Sequence, residues 1–107
     1  MALTIQADTE GQLPAAKGTL YTCPAVTTAV VKSFQFTNVT GGALTMNFYK
    51  KRATSRSLCP LNLSLAAGET LLSEDGDEIF LEAGDLLEGD ASAATSIDYT
   101  ISILERT

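Results

Sequence analysis

Ala29-Val30-Val31-Lys32-Ser33-Phe34-Gln35-Phe36-Thr37-Asn38 sets Phe34 and Phe36 on one face and Ser33, Gln35 and Thr37 on the other. A period of two is the signature of a strand with one buried face. By that count Val30 shares the face of the two phenylalanines, and Lys32 is the exception on it. Gly41-Gly42 follows, after which Leu44, Met46 and Phe48 alternate with Thr45, Asn47 and Tyr49. The stretch therefore reads as a hairpin, two antiparallel strands joined by a tight Gly-Gly turn with positive φ.

The same period recurs at the C-terminus, where Ile97, Tyr99, Ile101 and Ile103 alternate with Asp98, Thr100, Ser102 and Leu104. Shorter strands are expected at residues 18–23, 61–65, 70–73 and 78–82. Turn signals separate them: Ala66-Ala67-Gly68, Asp75-Gly76-Asp77 and Ala83-Gly84-Asp85. Helical periodicity is hard to find anywhere, and the short connections leave no room for parallel crossovers. Six or seven strands in this arrangement predict an all-β fold, a single antiparallel β-sandwich, for which jelly-roll and immunoglobulin-like wiring both fit. A chain of 107 residues supports one such core. The sandwich domain is expected over residues 18–107. Residues 1–17 hold only a short apolar patch, Leu3, Thr4 and Ile5, and read as an extended N-terminal arm that either pairs with a neighbour's sheet edge or frays.

Charge is distributed unevenly along the chain. The first fifty-six residues carry six bases against Asp8 and Glu10, whereas the eleven acids from Glu69 to Glu105 have no Lys or Arg among them, and the net charge is −6. Such asymmetry favours partners or neighbouring copies of opposite sign. A net acidic chain is poorly suited to nucleic acid, since phosphate binding relies on clustered Lys and Arg. No apolar run approaches the roughly 20 residues of a spanning helix, so no membrane partner is expected. The N-terminal Met-Ala-Leu-Thr-Ile-Gln lacks the basic start and long apolar centre of a signal peptide, so the chain is expected to be intracellular when it is made. Cys23 and Cys59 each precede a proline, which biases them towards extended backbone. Two reduced thiols or one bridge both fit the spacing. Asn38-Val39-Thr40 and Asn62-Leu63-Ser64 match the glycosylation acceptor pattern, which has little meaning in a chain that is not exported.

Catalytic tools are scarce. The chain has no His, the side chain that most often moves protons near neutral pH. Asp85 with Asp90, or Asp75 with Asp77, are the carboxylate pairs to weigh as acid and base, but they lie in Gly-containing turns that favour Asp on conformational grounds. Glu74, Asp75, Asp77 and Glu78 crowd around Gly76 as hard oxygen ligands would, yet their spacing departs from the EF-hand loop. No phosphate loop, nucleophile elbow or dinucleotide fingerprint occurs. The expectation is therefore no enzyme, no cofactor and no dedicated metal. Lys50, Lys51, Arg52 and Arg56 form the one basic cluster, which reads either as a solvated loop protecting an edge strand or as a contact for an acidic surface. The residues expected to meet partners are accordingly Leu3, Thr4, Ile5, this basic cluster, and the acids Glu74, Asp75, Asp77 and Glu78.

Several stretches carry a resemblance as well. Leu20-Tyr21-Thr22-Cys23-Pro24 leads into residues 30–38, followed by Leu65-Ala66-Ala67-Gly68-Glu69-Thr70-Leu71, Leu81-Glu82-Ala83-Gly84-Asp85, the small-residue loop Ala91-Ser92-Ala93-Ala94, and residues 97–102. Over about ninety residues the chain resembles small β-sandwich virion proteins of tailed bacteriophages. The two cysteines lie outside that pattern. The resemblance implies a structural part of the particle, most specifically a capsid decoration or cement protein on the exterior of the head, made in the host cytoplasm. It would assemble with itself as a homotrimer and with the major capsid protein or another virion protein. A tail or baseplate component and a carbohydrate-binding sandwich are the alternatives. Few aromatics and no Trp weigh against the last, since saccharide stacking needs exposed rings.

Overall fold

The computed structural model describes residues 4–73 and 78–107. Every regular element among them is a strand: β1 (Thr4–Gln6), β2 (Thr9–Gln12), β3 (Gly18–Thr22), β4 (Thr28–Asn38), β5 (Leu44–Arg52), β6 (Thr54–Ser57), β7 (Leu63–Leu65), β8 (Thr70–Leu72), β9 (Ile79–Leu81), β10 (Leu86–Ala91) and β11 (Ile97–Arg106). They form two antiparallel sheets packed face to face, so the expected β-sandwich holds. In the front sheet β1 and β2 share one edge of β11, β4 lies on its other side, and β8 and β9 share the far edge of β4. The back sheet runs β3, β10, β5, with β6 and β7 sharing the outer edge of β5. Each sheet is thus four lanes wide, and the chain changes sheet between β2 and β3, β3 and β4, β4 and β5, β7 and β8, β9 and β10, and β10 and β11. That wiring is the jelly roll, and it settles the choice that strand counting left open.

Two features of the deciding stretch differ from the sequence reading. First, β4 and β5 do not pair with each other; they lie in opposite sheets, and the true hairpin is β5–β6 with Ala53 at its tip in the left-handed region. The Gly41-Gly42 segment is an arch between the sheets, and neither glycine has positive φ. Buried Asn38 builds that arch: its Nδ2 donates to the carbonyls of Gly42 at 2.7 Å and Leu65 at 3.0 Å, and its Oδ1 accepts from the Thr40 amide at 2.9 Å. A side chain that supplies turn bonds removes the need for a two-residue turn. Second, Ser102 is opposite Ser33 but Ile103 is opposite Val31, so Lys32 is the extra residue of a β-bulge. The inward set therefore changes parity at Lys32. Val31 and Ala29 are buried with Phe36, while Val30 turns to the outer face.

The segment expected as an arm runs along the chain's own front sheet. Residues 4–6 and 9–12 pair with β11, and Leu13 behind them is fully buried in the core. Phe48 from the back sheet meets Phe36 and Phe34 from the front sheet at centroid distances of 4.9 and 5.1 Å, in tilted geometry. Ile97, Ile101 and Ile103 of β11 and Leu87 of β10 complete the interior, so the C-terminal alternation holds as read.

Among the described glycines, Gly89 leaves the least room for a side chain. A Cβ there would stand 2.9 Å from Leu13 Cδ2, 3.0 Å from Leu20 Cδ1 and 3.1 Å from the backbone oxygen of Asn47. The leucine tips could give; the carbonyl of a central strand could not. Gly89→Ala should therefore cost about 1–3 kcal/mol, typical of overpacking, and lower the melting temperature by about 5 °C or more in circular dichroism.

Candidate functional site

Of the carboxylate pairs weighed above, Asp85 and Asp90 lie among the described residues, and each has its own partner. Asp85 accepts a two-pronged bond from Arg52, with Nε–Oδ2 at 3.0 Å and Nη2–Oδ2 at 2.6 Å, and its Oδ2 also accepts the Glu82 amide at 2.8 Å. Asp90 instead accepts from Asn47 Nδ2 at 2.9 Å on the outer side of the back sheet. The two are held apart by different partners. Asp75, Asp77 and Glu74 lie outside the described residues, as does Leu3. Among the described residues no group of three or more His, Cys, Asp or Glu is placed to hold a metal ion.

The basic cluster divides into members with different tasks. Lys50 and Arg52 continue the inward parity of Met46 and Phe48 to the end of β5, where exposure rises. Lys50 Nζ donates across the sandwich to the Phe80 carbonyl at 2.7 Å, and Arg52 clamps the turn between β9 and β10 through Asp85. Asp85 is only 3% exposed; the guanidinium bond, outweighing the burial that opposes it, holds this carboxyl below its ordinary value. Tyr21 reaches across the same end, its hydroxyl donating to Glu105 of the front sheet. Burial first, then the Glu105 bond, pushes the Tyr21 phenol well up. These contacts are structural closures. Lys51, on the outer face beside Ser55, and Arg56, opposite Lys50, remain as the cluster's members outside the Asp85 clamp. With Lys50, Arg52 and Thr54, Arg56 lines a shallow depression of about 300 Å³.

Of the other expected contact residues, Glu78 pairs with Lys32, the bulge residue, and Thr4 and Ile5 are in β1 along β11. Among the described residues, bases of the first half meet acids of the second most closely at Lys32 with Glu78 and Arg52 with Asp85. Glu82 stands 3.8 Å from Arg52 with its side chain 72% exposed, a weak pairing.

Cys23 and Cys59 are free thiols. Cys23 is buried and donates to the Thr27 carbonyl at 3.4 Å. Burial pushes both thiols up, with Glu105 and Asp85 adding to the effect at Cys23, so neither is disposed to form a thiolate.

One surface was not singled out in the sequence. Ile79-Phe80-Leu81 is a run of three apolar residues in an edge strand, and such a run must turn one of them outward. Phe80 is that residue, 67% exposed, and lies in line with Val30 and Leu104 on the outer face of the front sheet. The signal was present in the period of two, masked by the shortness of the strand.

Fold and surface together define a small jelly-roll module. No family model and no curated protein sequence matches the chain. Among solved structures, it is similar to a chain of the acid-stable capsid of Helicobacter pylori bacteriophage KHP30, with TM-score 0.58 and 10% identity, covering 100% of this chain and 94% of that one. It is also similar to a chain from the disulfide-linked pili of Bacillus endospore appendages, with TM-score 0.50 and 14% identity, covering 99% of this chain and 88% of the other. At these identities the likeness is one of fold.

Proposed function

We propose that this chain is a non-enzymatic structural component of a bacteriophage virion, a decoration or cement protein that adds to the exterior of the assembled head. The observation that carries the reading is the end-to-end likeness of this jelly roll to a chain of a bacteriophage capsid. On this reading it is made in the host cytoplasm, contacts the major capsid protein and its own copies, and needs no cofactor, nucleic acid or membrane. A small body repeated over a lattice can be held by individually weak contacts, because multivalency raises effective concentration. Purified chain added to particles lacking it and imaged by electron cryomicroscopy should appear at regular positions on the head. Density on the tail alone, or none, overturns the proposal.

The basic hairpin supplies a second test. Lys51→Glu with Arg56→Glu leaves the Arg52–Asp85 clamp intact and reverses two surface charges. Particle binding should weaken about tenfold at ~10 mM ionic strength and converge with the unmodified chain near ~0.5 M, where screening is short-ranged. Equal binding at both salt concentrations would remove the electrostatic part of the reading.

A further inference from the structure

We infer that the outer face of the front sheet, at its β9 edge, is a two-fold contact between copies of this chain. The inference stands apart from the virion reading, because it rests on the register of three neighbouring strands. Val30 is opposite Phe80 on one side and Leu104 on the other, which sets Phe80, Val30 and Leu104 in one row across β9, β4 and β11. The next row towards the end of the sheet has Thr28 opposite Arg106, with Glu82 following β9 on the far side. These six residues line a groove of about 510 Å³. Phe80 is 67% exposed, whereas isolated edge strands more often carry charge or proline at such a position.

The charges at the two flanks of the groove are opposite, Glu82 beside β9 and Arg106 at the end of β11. A two-fold axis lying in the interface and running along β4 exchanges left and right while keeping each row in place. It brings Phe80 onto the partner copy's Leu104 side, Val30 onto its own equivalent, and Glu82 against the partner copy's Arg106. Apolar contacts and charge pairing are satisfied by the same operation, and the Phe80–Leu104 and Glu82–Arg106 contacts each occur twice about the axis, as an isologous contact requires. Face-to-face packing of two sheets with aligned strands is an ordinary sheet geometry.

Sedimentation velocity across a concentration series at low salt tests it. The unmodified chain should pass from monomer to dimer. Glu82→Arg and Arg106→Glu should each weaken the dimer by about tenfold or more, the two together should restore it to within about threefold, and Phe80→Ser should abolish it. Glu82, Arg106 and Phe80 are exposed, so melting temperatures should stay close to that of the unmodified chain; should Glu82→Arg fail to fold beside Arg52, Glu82→Gln with Arg106→Gln gives the same weakening without reversal. A monomer at all concentrations, a trimer or open ladder, or a double swap that fails to restore pairing overturns the inference.

Discussion

Phe48→Ala should destabilise the protein by about 3–5 kcal/mol, the range for deleting a fully buried aromatic side chain. Phe48 is the back sheet's main contribution to the aromatic centre, 4.9 Å from Phe36 and 5.1 Å from Phe34 between ring centroids. Its removal leaves both front-sheet rings without a partner on one side, and the surrounding strands are too fully hydrogen-bonded to collapse into the space. Domains of this size have total stabilities of roughly 5–15 kcal/mol, so the variant should sit near the edge of folding at 25 °C. Urea denaturation followed by circular dichroism should show the midpoint falling with little change of slope. Phe48→Leu, which keeps most of the volume, should cost less than about 1.5 kcal/mol. A loss below about 1 kcal/mol for Phe48→Ala would mean that the two sheets do not meet through this ring.

Phe36 and Phe48 were both legible as core from alternation alone, as were Ile97, Ile101 and Ile103, because a period of two survives whichever strands become neighbours. Which strands do pair was not legible. Gly41-Gly42 resembles hairpin chemistry locally, and only the buried Asn38 side chain, bonded to Gly42 and to Leu65 twenty-seven residues away, makes it an arch between sheets. The parity change at Lys32 was visible as an exception but not as a bulge, since a bulge is a property of two strands in register. β10 escaped the sequence reading for a related reason. Leu86-Leu87-Glu88-Gly89-Asp90 looks like a turn, yet Glu88 is buried on the outer side of the back sheet, where it accepts a 2.6 Å bond from Ser55. Central strands covered on both faces lose the alternation that marks a half-exposed one.

The charge asymmetry along the chain had two readings, contact with others or pairing at home, and the structure distributes its residues between them. Jelly-roll wiring sets β9 and the turn after it beside the end of β5, so Asp85 meets Arg52 across thirty-three positions. Lys51 and Arg56 are left on the hairpin surface, and Glu82 and Arg106 on the flanks of the front-sheet groove. Site prediction from a charge run fails where topology divides the run between structural and surface duties. Here the division falls inside a four-residue cluster, which is why reversing all four bases together would test folding before it tested binding.

Arg52→Met should be more damaging than Asp85→Asn, although both delete the same ion pair. Asp85 is 3% exposed, whereas the Arg52 side chain is 50% exposed. Without Asp85, the guanidinium can turn to water; without Arg52, the carboxylate keeps only the Glu82 amide at 2.8 Å and stays buried. Stranding a buried charge costs about 3–5 kcal/mol, reduced here because water can follow the exposed arginine stem, so about 2–3 kcal/mol is expected for Arg52→Met and about 1–2 kcal/mol for Asp85→Asn. Their pH dependence should share a sign and differ in size. In the native chain the Asp85 carboxyl is held below its ordinary value, chiefly by the Arg52 bond. Its contribution is therefore complete above the unfolded value near ~4 and is lost as pH falls through the lower folded value. In Arg52→Met the largest lowering influence is gone, and burial, which raises the carboxyl, is opposed only by the Glu82 amide and the Lys50 charge. The variant's penalty is then full at neutral pH and shrinks as acid protonates the buried group. Thermal melts between about pH 3 and 7 should show the gap between native chain and Arg52→Met narrowing with acid, with the Asp85→Asn gap narrowing too, from a smaller starting value. A gap for Arg52→Met that is constant with pH would show that Asp85 does not carry the charge that closes this end of the sandwich.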